Sequence, residues 1–152
     1  MEAILADSSI SAVLLLTPPN THLELVQQAA AAGKHILLEK PLDISFARSE
    51  QLVKTAEDAG VKLAVVLQNR FRPTCERLSA LIAAGSLGTI VSASPPTNNW
   101  RPQSYYHQPG SGTPAPDGGG VLLPQAIHTP DLLVAFAVLP TDVNPSCPTS
   151  PV

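Results

Sequence analysis

The first 95 residues alternate short apolar runs with segments of helical periodicity, and this alternation restricts the fold more than any other feature. Three runs are too short for helices and are bounded by glycine, proline or polar residues: Ser11–Leu16, His35–Leu38 and Lys62–Leu67. Runs of this kind predict buried parallel strands. Because helix-like segments separate them, we expect βαβ units with right-handed crossovers and an α/β fold.

Two helices are predicted between these strands. Thr21 and Glu24 have the spacing of a capping box, and apolar residues at helical spacing follow until Gly33. The second helix is expected to begin at Asp43 or Ser45 and to end at Gly60. The predicted inward-facing residues are Leu23, Val26, Ala29 and Ala30 in the first helix and Phe46, Val53 and Ala56 in the second.

A third helix is predicted over residues 74–84, with Leu78, Leu81 and Ile82 facing inward. Gly85 and Gly88 then lead to a predicted strand over residues 89–92. Twelve of the 16 prolines lie beyond this point, so little regular structure is expected there. The stretch 139–152 is polar and rich in proline and is predicted to be a disordered tail.

Composition excludes several classes of function. The 152 residues carry a net charge of -3, and the nine Lys and Arg residues form no basic stripe, so no nucleic-acid partner is expected. No apolar run reaches the roughly 18 residues of a membrane span and no leader pattern is visible, so the prediction is a cytoplasmic protein with no membrane partner. Cys75 and Cys147 have no metal-ligand spacing, and no metal site is predicted.

The end of the second run is the first candidate site. Glu39, Lys40 and Pro41 follow the apolar run directly, and ligands of open α/β sheets bind beyond the carboxyl ends of the strands. The acid and the amine are therefore expected at a ligand crevice. The alternative for Lys40 is a solvated lysine at the end of a strand.

Four motifs in order along the chain resemble one family. They are Thr17-Pro-Pro-Asn-Thr-His22, Ala32-Gly-Lys-His-Ile-Leu-Leu-Glu-Lys-Pro41, Gln68-Asn-Arg-Phe71, and Asp117-Gly-Gly-Gly120 followed by Gln125-Ala-Ile-His128 and Asp131-Leu-Leu133. Together they resemble the Gfo/Idh/MocA family of NAD(P)-dependent oxidoreductases, over about residues 1 to 138.

The resemblance implies a partial Rossmann-like parallel sheet followed by the start of an α+β substrate or dimerisation domain. We expect the second half of a dinucleotide-binding domain over residues 1–69 and the start of the substrate domain over residues 70–138. The sequence holds no G-x-G-x-x-G, the fingerprint of the opening βαβ unit of that fold, so the chain is expected to be truncated relative to the family. The implied cofactor is NAD or NADP, bound weakly.

By this resemblance, Lys40 and His128 are the catalytic residues. Lys40 would bridge the substrate hydroxyl and the nicotinamide ribose, and Pro41 would follow a cis peptide bond. His128 would be the general base, because the pKa of an imidazole lies close to neutrality. The alternative for His128 is a capped histidine on a helix face.

The resemblance also implies binding residues. The cofactor contacts would be Thr17, Pro18, Asn20, His22, Glu39, Lys40, Pro41 and Asn69, and the substrate contacts would be Arg101, Tyr106 and His128. Asn20 is explained equally well as a turn residue before a helix. Arg101 and Tyr106 belong to an aromatic loop, and anchoring of that loop is the alternative role for them.

Two prolines complicate the helix that carries His128. Many family members have a proton-handling residue four positions before the histidine, where this chain has Pro124. Pro130 is a second expected interruption, so the helix is predicted to be kinked or broken.

The predicted function is hydride transfer between NAD(P) and a secondary alcohol of a sugar or polyol, impaired in this chain. The alternative is a non-enzymatic remnant or a dimerising or binding module of the same family. The expected partner is a small sugar-like substrate. A homo-oligomer is also implied, because the C-terminal domain often forms the dimer contact in this family.

Overall fold

The centre of the molecule is a parallel sheet of three strands. The computed structural model describes residues 1–94, 100–106, 123 and 126–137. The strands are β1 (Ala12–Leu15), β2 (His35–Leu38) and β3 (Leu63–Val65), in the order β1-β2-β3. Leu15 pairs with Leu38, and Leu38 pairs with Val65, so the carboxyl ends of all three strands lie at one edge. The predicted parallel sheet is confirmed, with β1 and β3 shorter than expected.

The described helices connect and follow these strands. They are α1 (Glu2–Ala6), α2 (His22–Ala31), α3 (Phe46–Asp58), α4 (Pro73–Ala83), α5 (Gln103–Tyr106) and α6 (His128–Phe136), with 3-10 turns at Pro19–Thr21 and Gln68–Phe71. Helix α2 ends two residues before Gly33, whose φ of 70° is favourable only for glycine, and this agrees with the predicted stop.

The core forms between α2, α3 and one face of the sheet. Strand residues alternate between buried and exposed positions in β1 and β2, because successive side chains point to opposite faces. The buried face carries Val13, Leu15, Ile36 and Leu38, which pack against Val26 and other residues of α2 and against Leu52 of α3.

The other face of the sheet is open to solvent. Leu14 is 53% exposed and Leu37 is 42% exposed, although both lie in the middle of predicted buried strands. Complete burial of these strands was therefore a wrong prediction. A strand is buried on both faces only where helices cover both, and α2 and α3 cover the same face.

At the start of α2 the predicted capping box is absent, whereas α3 has one of its two predicted caps. The Thr21 hydroxyl lies 2.8 Å from the Pro18 carbonyl and 2.9 Å from the Thr17 hydroxyl and makes no cap to α2, so the capping box with Glu24 does not form. Ser45 caps α3 by accepting a hydrogen bond from the Arg48 amide at 3.4 Å. The choice between Asp43 and Ser45 is thereby decided.

Several predicted core and strand positions are also wrong. Phe46 is 77% exposed, because α3 faces the sheet through Leu52 and Ala56 instead. Leu78 is 37% exposed, and α4 has no buried residue. Residues 89–92 form no strand, since no described strand pairs with them, and Val91 is 93% exposed.

Some predictions fall on parts of the chain outside the described residues. These are the tail at 139–152, the glycines at 118–120 and the effect of Pro124. Among the helices that are described, none is long and apolar enough to cross a bilayer.

Candidate functional site

Several predicted site residues with numbers below 70 lie in the loops at the carboxyl edge of the sheet. Thr17 follows β1, the pair Glu39 and Lys40 follows β2, and Asn69 follows β3. The register of the parallel strands brings these three loops to the same edge. The structure therefore brings these predicted residues to one edge of the sheet, the edge at which ligands of open α/β sheets bind.

The Lys40 segment is held closely to this edge. The Glu39 amide donates to the Leu15 carbonyl at 2.9 Å, which extends the pairing of β2 with β1 by one contact. The Lys40–Pro41 peptide bond is cis, as expected. Pro41 is buried, whereas Glu39 and Lys40 are half-buried, so the two charged side chains keep access to the crevice.

An ion pair between Arg70 and Asp131, which are 61 residues apart in sequence, connects the helix of His128 to this edge. Arg70 Nε donates to both carboxylate oxygens of Asp131 at 2.9 Å, and a terminal nitrogen of Arg70 also donates to Asp131 Oδ1. Hydrogen bonding to Asp131 raises the pKa of Arg70 above its usual value. Asp131 lies one helical turn after His128 in α6, so this pair ties the histidine to the loop after β3.

The electrostatic surroundings of His128 connect it with Lys40. Burial lowers the pKa of His128 below its usual 6.5, and the positive charge of Lys40 lowers it further. Asp131 and Glu39 act in the opposite direction, and Arg72 adds to the lowering. The imidazole is therefore neutral near pH 7 and can accept a proton.

One ring nitrogen of His128 is buried without a hydrogen-bond partner among the described residues. This atom is Nδ1.

Pro130 does not interrupt α6 itself, but α6 begins only at His128, after a turn at Ile127, so no regular α-helix runs from Ala126 through this point and the predicted interruption agrees with the structure. The helix begins at His128, so Pro130 is its third residue and lies in the first turn. Amides of the first turn have no carbonyl partner within the helix, and the absence of one N–H has little cost there. The next amide, of Asp131, already donates to the Ile127 carbonyl at 3.1 Å.

In the loop after β1 and at the start of α2, the predicted cofactor contacts differ in their exposure. Thr17 is half-buried, and Pro18 and Asn20 are exposed at the crevice edge. His22 is 0% exposed, and its ring nitrogens lie 2.9 Å from the Thr17 carbonyl and 3.1 Å from the Leu42 carbonyl. Its side chain has no open surface for a cofactor, so the expected direct contact is corrected to a buried position behind the loop.

A charged cluster behind the same loops was not predicted at all. Arg48 donates to Asp43 Oδ1 at 2.7 Å, to the Asn20 carbonyl at 3.1 Å and to both carboxylate oxygens of Glu24. Hydrogen bonding to Glu24, then to Asp43, raises the pKa of Arg48 above its usual value. Glu24 and Asn20 lie 24 and 28 residues from Arg48 in the sequence, so no local sequence pattern indicates this cluster.

The aromatic loop shows contacts within itself. Arg101 donates to the Trp100 carbonyl at 3.2 Å and lies 5.6 Å from the centre of the Tyr105 ring. These contacts favour the alternative in which aromatic residues anchor the loop. Tyr106 ends α5, and its side chain lies outside the described part of the molecule.

No group of three or more His, Cys, Asp or Glu side chains within the described ranges could hold a metal ion. The charged residues that act on the pKa of His128 are Lys40, Asp131, Glu39 and Arg72.

Comparison with known proteins agrees with this arrangement. Residues 1–67 match the model of the oxidoreductase family with an NAD-binding Rossmann fold, named GFO_IDH_MocA. The chain is 41% identical over 93 residues to D-xylose 1-dehydrogenase (NADP(+)) 2 of Haloferax volcanii, covering 61% of this chain and 28% of that protein. It is 36% identical over 100 residues to inositol 2-dehydrogenase of Rhizobium meliloti, covering 62% of this chain and 30% of that protein.

A solved structure with similar architecture is the WlbA dehydrogenase of Bordetella pertussis in complex with NADH and UDP-GlcNAcA. It is 32% identical with a TM-score of 0.74, and the alignment covers 90% of this chain and 39% of that one. The chain thus spans about a third of the length of the proteins it matches. The parallel sheet, the motifs at its carboxyl edge and these similarities agree with the Gfo/Idh/MocA oxidoreductase family, whose NAD-binding Rossmann model matches residues 1–67.

Proposed function

We propose that this chain takes part in hydride transfer between NAD(P) and a secondary alcohol of a sugar or polyol. The observation that carries this proposal is that Lys40 follows β2 at the carboxyl edge of the sheet while Arg70, in the turn after β3, pairs with Asp131 one helical turn from His128, and that the charge of Lys40 lowers the pKa of the imidazole. Lys40 and His128 are far apart in sequence, after β2 and at the start of α6. The names of the xylose and inositol dehydrogenases support the substrate class.

The residues at this edge fit a nicotinamide cofactor. Pro18 and Asn20 are exposed and Thr17 is half-buried in the loop after β1, and these residues would form one wall of a cofactor crevice that Glu39 and Asn69 would continue. These residues, with Pro41 behind them, would hold the nicotinamide end. When bound, NAD(P) accepts or supplies the hydride. We expect weak binding by this chain, because its sequence has no glycine-rich fingerprint for the pyrophosphate.

The protein residues would handle the proton that accompanies the hydride. Oxidation of a secondary alcohol removes a hydride from carbon and a proton from the hydroxyl group. His128 is suited to take this proton, because its lowered pKa keeps the ring neutral. The Lys40 ammonium would donate a hydrogen bond to the substrate oxygen and stabilise the negative charge that develops on it.

The domain division follows from the same proposal. Residues 1–69 would form the cofactor side and residues 70–138 the beginning of the substrate side. His128 would then contact the substrate from α6, and Arg101 and Tyr106 would approach it from the aromatic loop. The contacts of Arg101 with Trp100 and Tyr105 would set the position of that loop.

The test compares cofactor reduction by wild-type protein, Lys40→Met and His128→Asn. Substrates would be D-xylose and myo-inositol, each with NAD⁺ and NADP⁺ at millimolar concentration. Lys62→Met is the matched control, since Lys62 is an exposed lysine before β3, away from the carboxyl edge. We expect each site variant to lose most of the measured rate, by a factor of about 100 or more, and Lys62→Met to keep it. A rate that survives in both site variants would contradict the proposal.

A second candidate function, a non-enzymatic dimerising or binding module, is favoured by one observation. The open face of the sheet presents Leu14, Leu16 and Leu37, which are 53%, 67% and 42% exposed. Contiguous apolar surface of this kind often marks a protein contact. A compact dimer with cooperative melting and no detectable dehydrogenase rate would favour this candidate over the enzyme.

A further inference from the structure

Two loops at the carboxyl edge of the sheet are tied together from behind by polar contacts of buried His22 and of Arg48, whose side chain is 28% exposed. We define the β1 loop as residues 16–21 and the β2 loop as residues 39–45. Both belong to the cofactor wall of the proposed function, on which this inference rests. We infer that His22 and Arg48 are positioning residues that set the spacing between these two loops.

The contacts of His22 join the two loops directly. One ring nitrogen lies 2.9 Å from the Thr17 carbonyl of the β1 loop, and the other lies 3.1 Å from the Leu42 carbonyl of the β2 loop. Both partners are backbone oxygens that only accept, and a neutral imidazole carries one N–H, so the ring donates to one carbonyl and places its other nitrogen against the second. The rigid ring therefore lies between the two main chains and determines the distance between them. The ring is 0% exposed, which protects these contacts from competition with water.

Arg48 makes a second connection between the same loops. From α3 it donates to the Asn20 carbonyl of the β1 loop at 3.1 Å and to Asp43 of the β2 loop at 2.7 Å. Its other bonds, to Glu24, tie this connection to α2. The Asp43 side chain is fully buried, so its charge is held by Arg48 and by the Ile44 amide at 2.7 Å.

The two connections have different places in the crevice wall. In the β1 loop His22 acts at Thr17 and Arg48 at Asn20, three residues farther along, whereas their partners in the β2 loop, Leu42 and Asp43, are adjacent. The two contacts therefore hold the β1 loop at two separate points against one segment of the β2 loop and restrict its pivoting. The spacing of the loops is therefore built into the protein before any ligand binds, which lowers the ordering cost of binding.

The test uses isosteric replacements of His22. The amide nitrogen of glutamine occupies the position of Nε2 and that of asparagine the position of Nδ1, so His22→Gln keeps a donor toward Thr17 and His22→Asn keeps one toward Leu42. His22→Leu removes both, and Arg48→Met removes the second connection. Lys34→Met is the matched control: buried Lys34 also donates to two carbonyls, those of Asp7 and Ile10, but before β2, at the opposite end of the strand.

The first measurement is amide hydrogen exchange without ligand. The reporters are Thr21, whose amide donates within the β1 loop, and Glu39, whose amide donates to Leu15. We expect His22→Leu and Arg48→Met to accelerate exchange at both reporters relative to Ile36, and the Lys34 control to leave this ratio unchanged. Unchanged ratios in folded His22→Asn, His22→Gln and Arg48→Met proteins would overturn the inference, even if His22→Leu failed to fold.

The second measurement is NADH affinity, from chemical-shift changes at the Thr17 and Lys40 amides. We expect His22→Leu to weaken binding by about three- to tenfold, the range for one or two lost hydrogen bonds, and each isostere to weaken it less. Equal weakening by Lys34→Met would show a merely structural role and overturn the inference. If wild-type protein gives no NADH response at all, the proposed function fails, while the exchange ratios still decide the positioning role.

Discussion

At the scale of single residues, His128 makes the stability of this chain sensitive to pH. Its pKa in the folded state is lowered from 6.5, first by burial and then by Lys40. The unfolded chain then binds a proton more readily than the folded one. The contribution of His128 to stability is complete above the unfolded pKa and is lost as pH falls through the folded pKa.

We therefore predict that the free energy of unfolding falls between about pH 7 and pH 5 and that His128→Gln removes most of this slope. Denaturant unfolding at several pH values measures it. Asp7 and Glu24 also have lowered pKa values, but from 3.8 and 4.5, so their acid-dependent losses come at lower pH. An equal slope in wild type and His128→Gln would contradict the assignment.

Neighbouring leucines of β2 offer a test of one-sided burial. Leu38 is 0% exposed in the core, whereas Leu37 is 42% exposed on the open face of the same strand. We predict that Leu38→Ala lowers the free energy of unfolding by about 2–5 kcal/mol and Leu37→Ala by less than about 1 kcal/mol. Thermal and urea unfolding of the two variants measure the difference, and similar losses would mean that the open face is covered in solution.

At the scale of secondary-structure elements, the Arg70–Asp131 pair joins α6 to the turn after β3. Arg70 is 43% exposed at its side chain and Asp131 only 7%, so solvent screens part of the interaction. The two hydrogen bonds from Arg70 Nε hold the carboxylate in a defined orientation. This pair therefore matters for the placement of His128 more than for total stability.

A double-mutant cycle with Arg70→Met and Asp131→Asn tests this pair. We predict a coupling energy of about 1 kcal/mol, at the upper end for partly exposed pairs. The pair Lys54–Asp58 on α3 is the control, since its side chains are 73% and 63% exposed, and about 0.3 kcal/mol is expected there. Each single variant should also shift the imidazole NMR signals of His128, and unmoved signals would argue against a positioning effect.

At the scale of the whole molecule, the uncovered face of the sheet is the surface through which we predict association. Leu14 and Leu37 lie on adjacent strands, β1 and β2, in register with each other. Because apolar surface exposed to water favours contact with other apolar surface, we expect the chain to self-associate through this face.

We predict that Leu14→Lys combined with Leu37→Lys reduces self-association at micromolar concentration. Sedimentation velocity measures the change in mass. Phe46→Lys is the control, because Phe46 is 77% exposed on α3, which covers the other side of the sheet. Loss of association in the control alone would place the contact on the helical side of the molecule.

The sequence by itself determined the local elements and the family resemblance. Strands appear in β1, β2 and β3 because short β-rich apolar runs between turn residues have few other ways to bury themselves. The position of Lys40 at the carboxyl edge also followed, since a residue after a parallel strand lies there. The four motifs indicated the family resemblance because each covers a continuous stretch of chain.

Only the tertiary structure decided which surfaces are buried and which distant residues meet. A period of two residues does not say which face of a sheet the helices cover, so Leu37 and Leu38 could not be ranked from sequence. The contacts of His22 with Leu42 and of Arg70 with Asp131 span 20 and 61 residues. Such partners depend on how the elements pack, and packing arises from the whole set of contacts, which no local pattern contains.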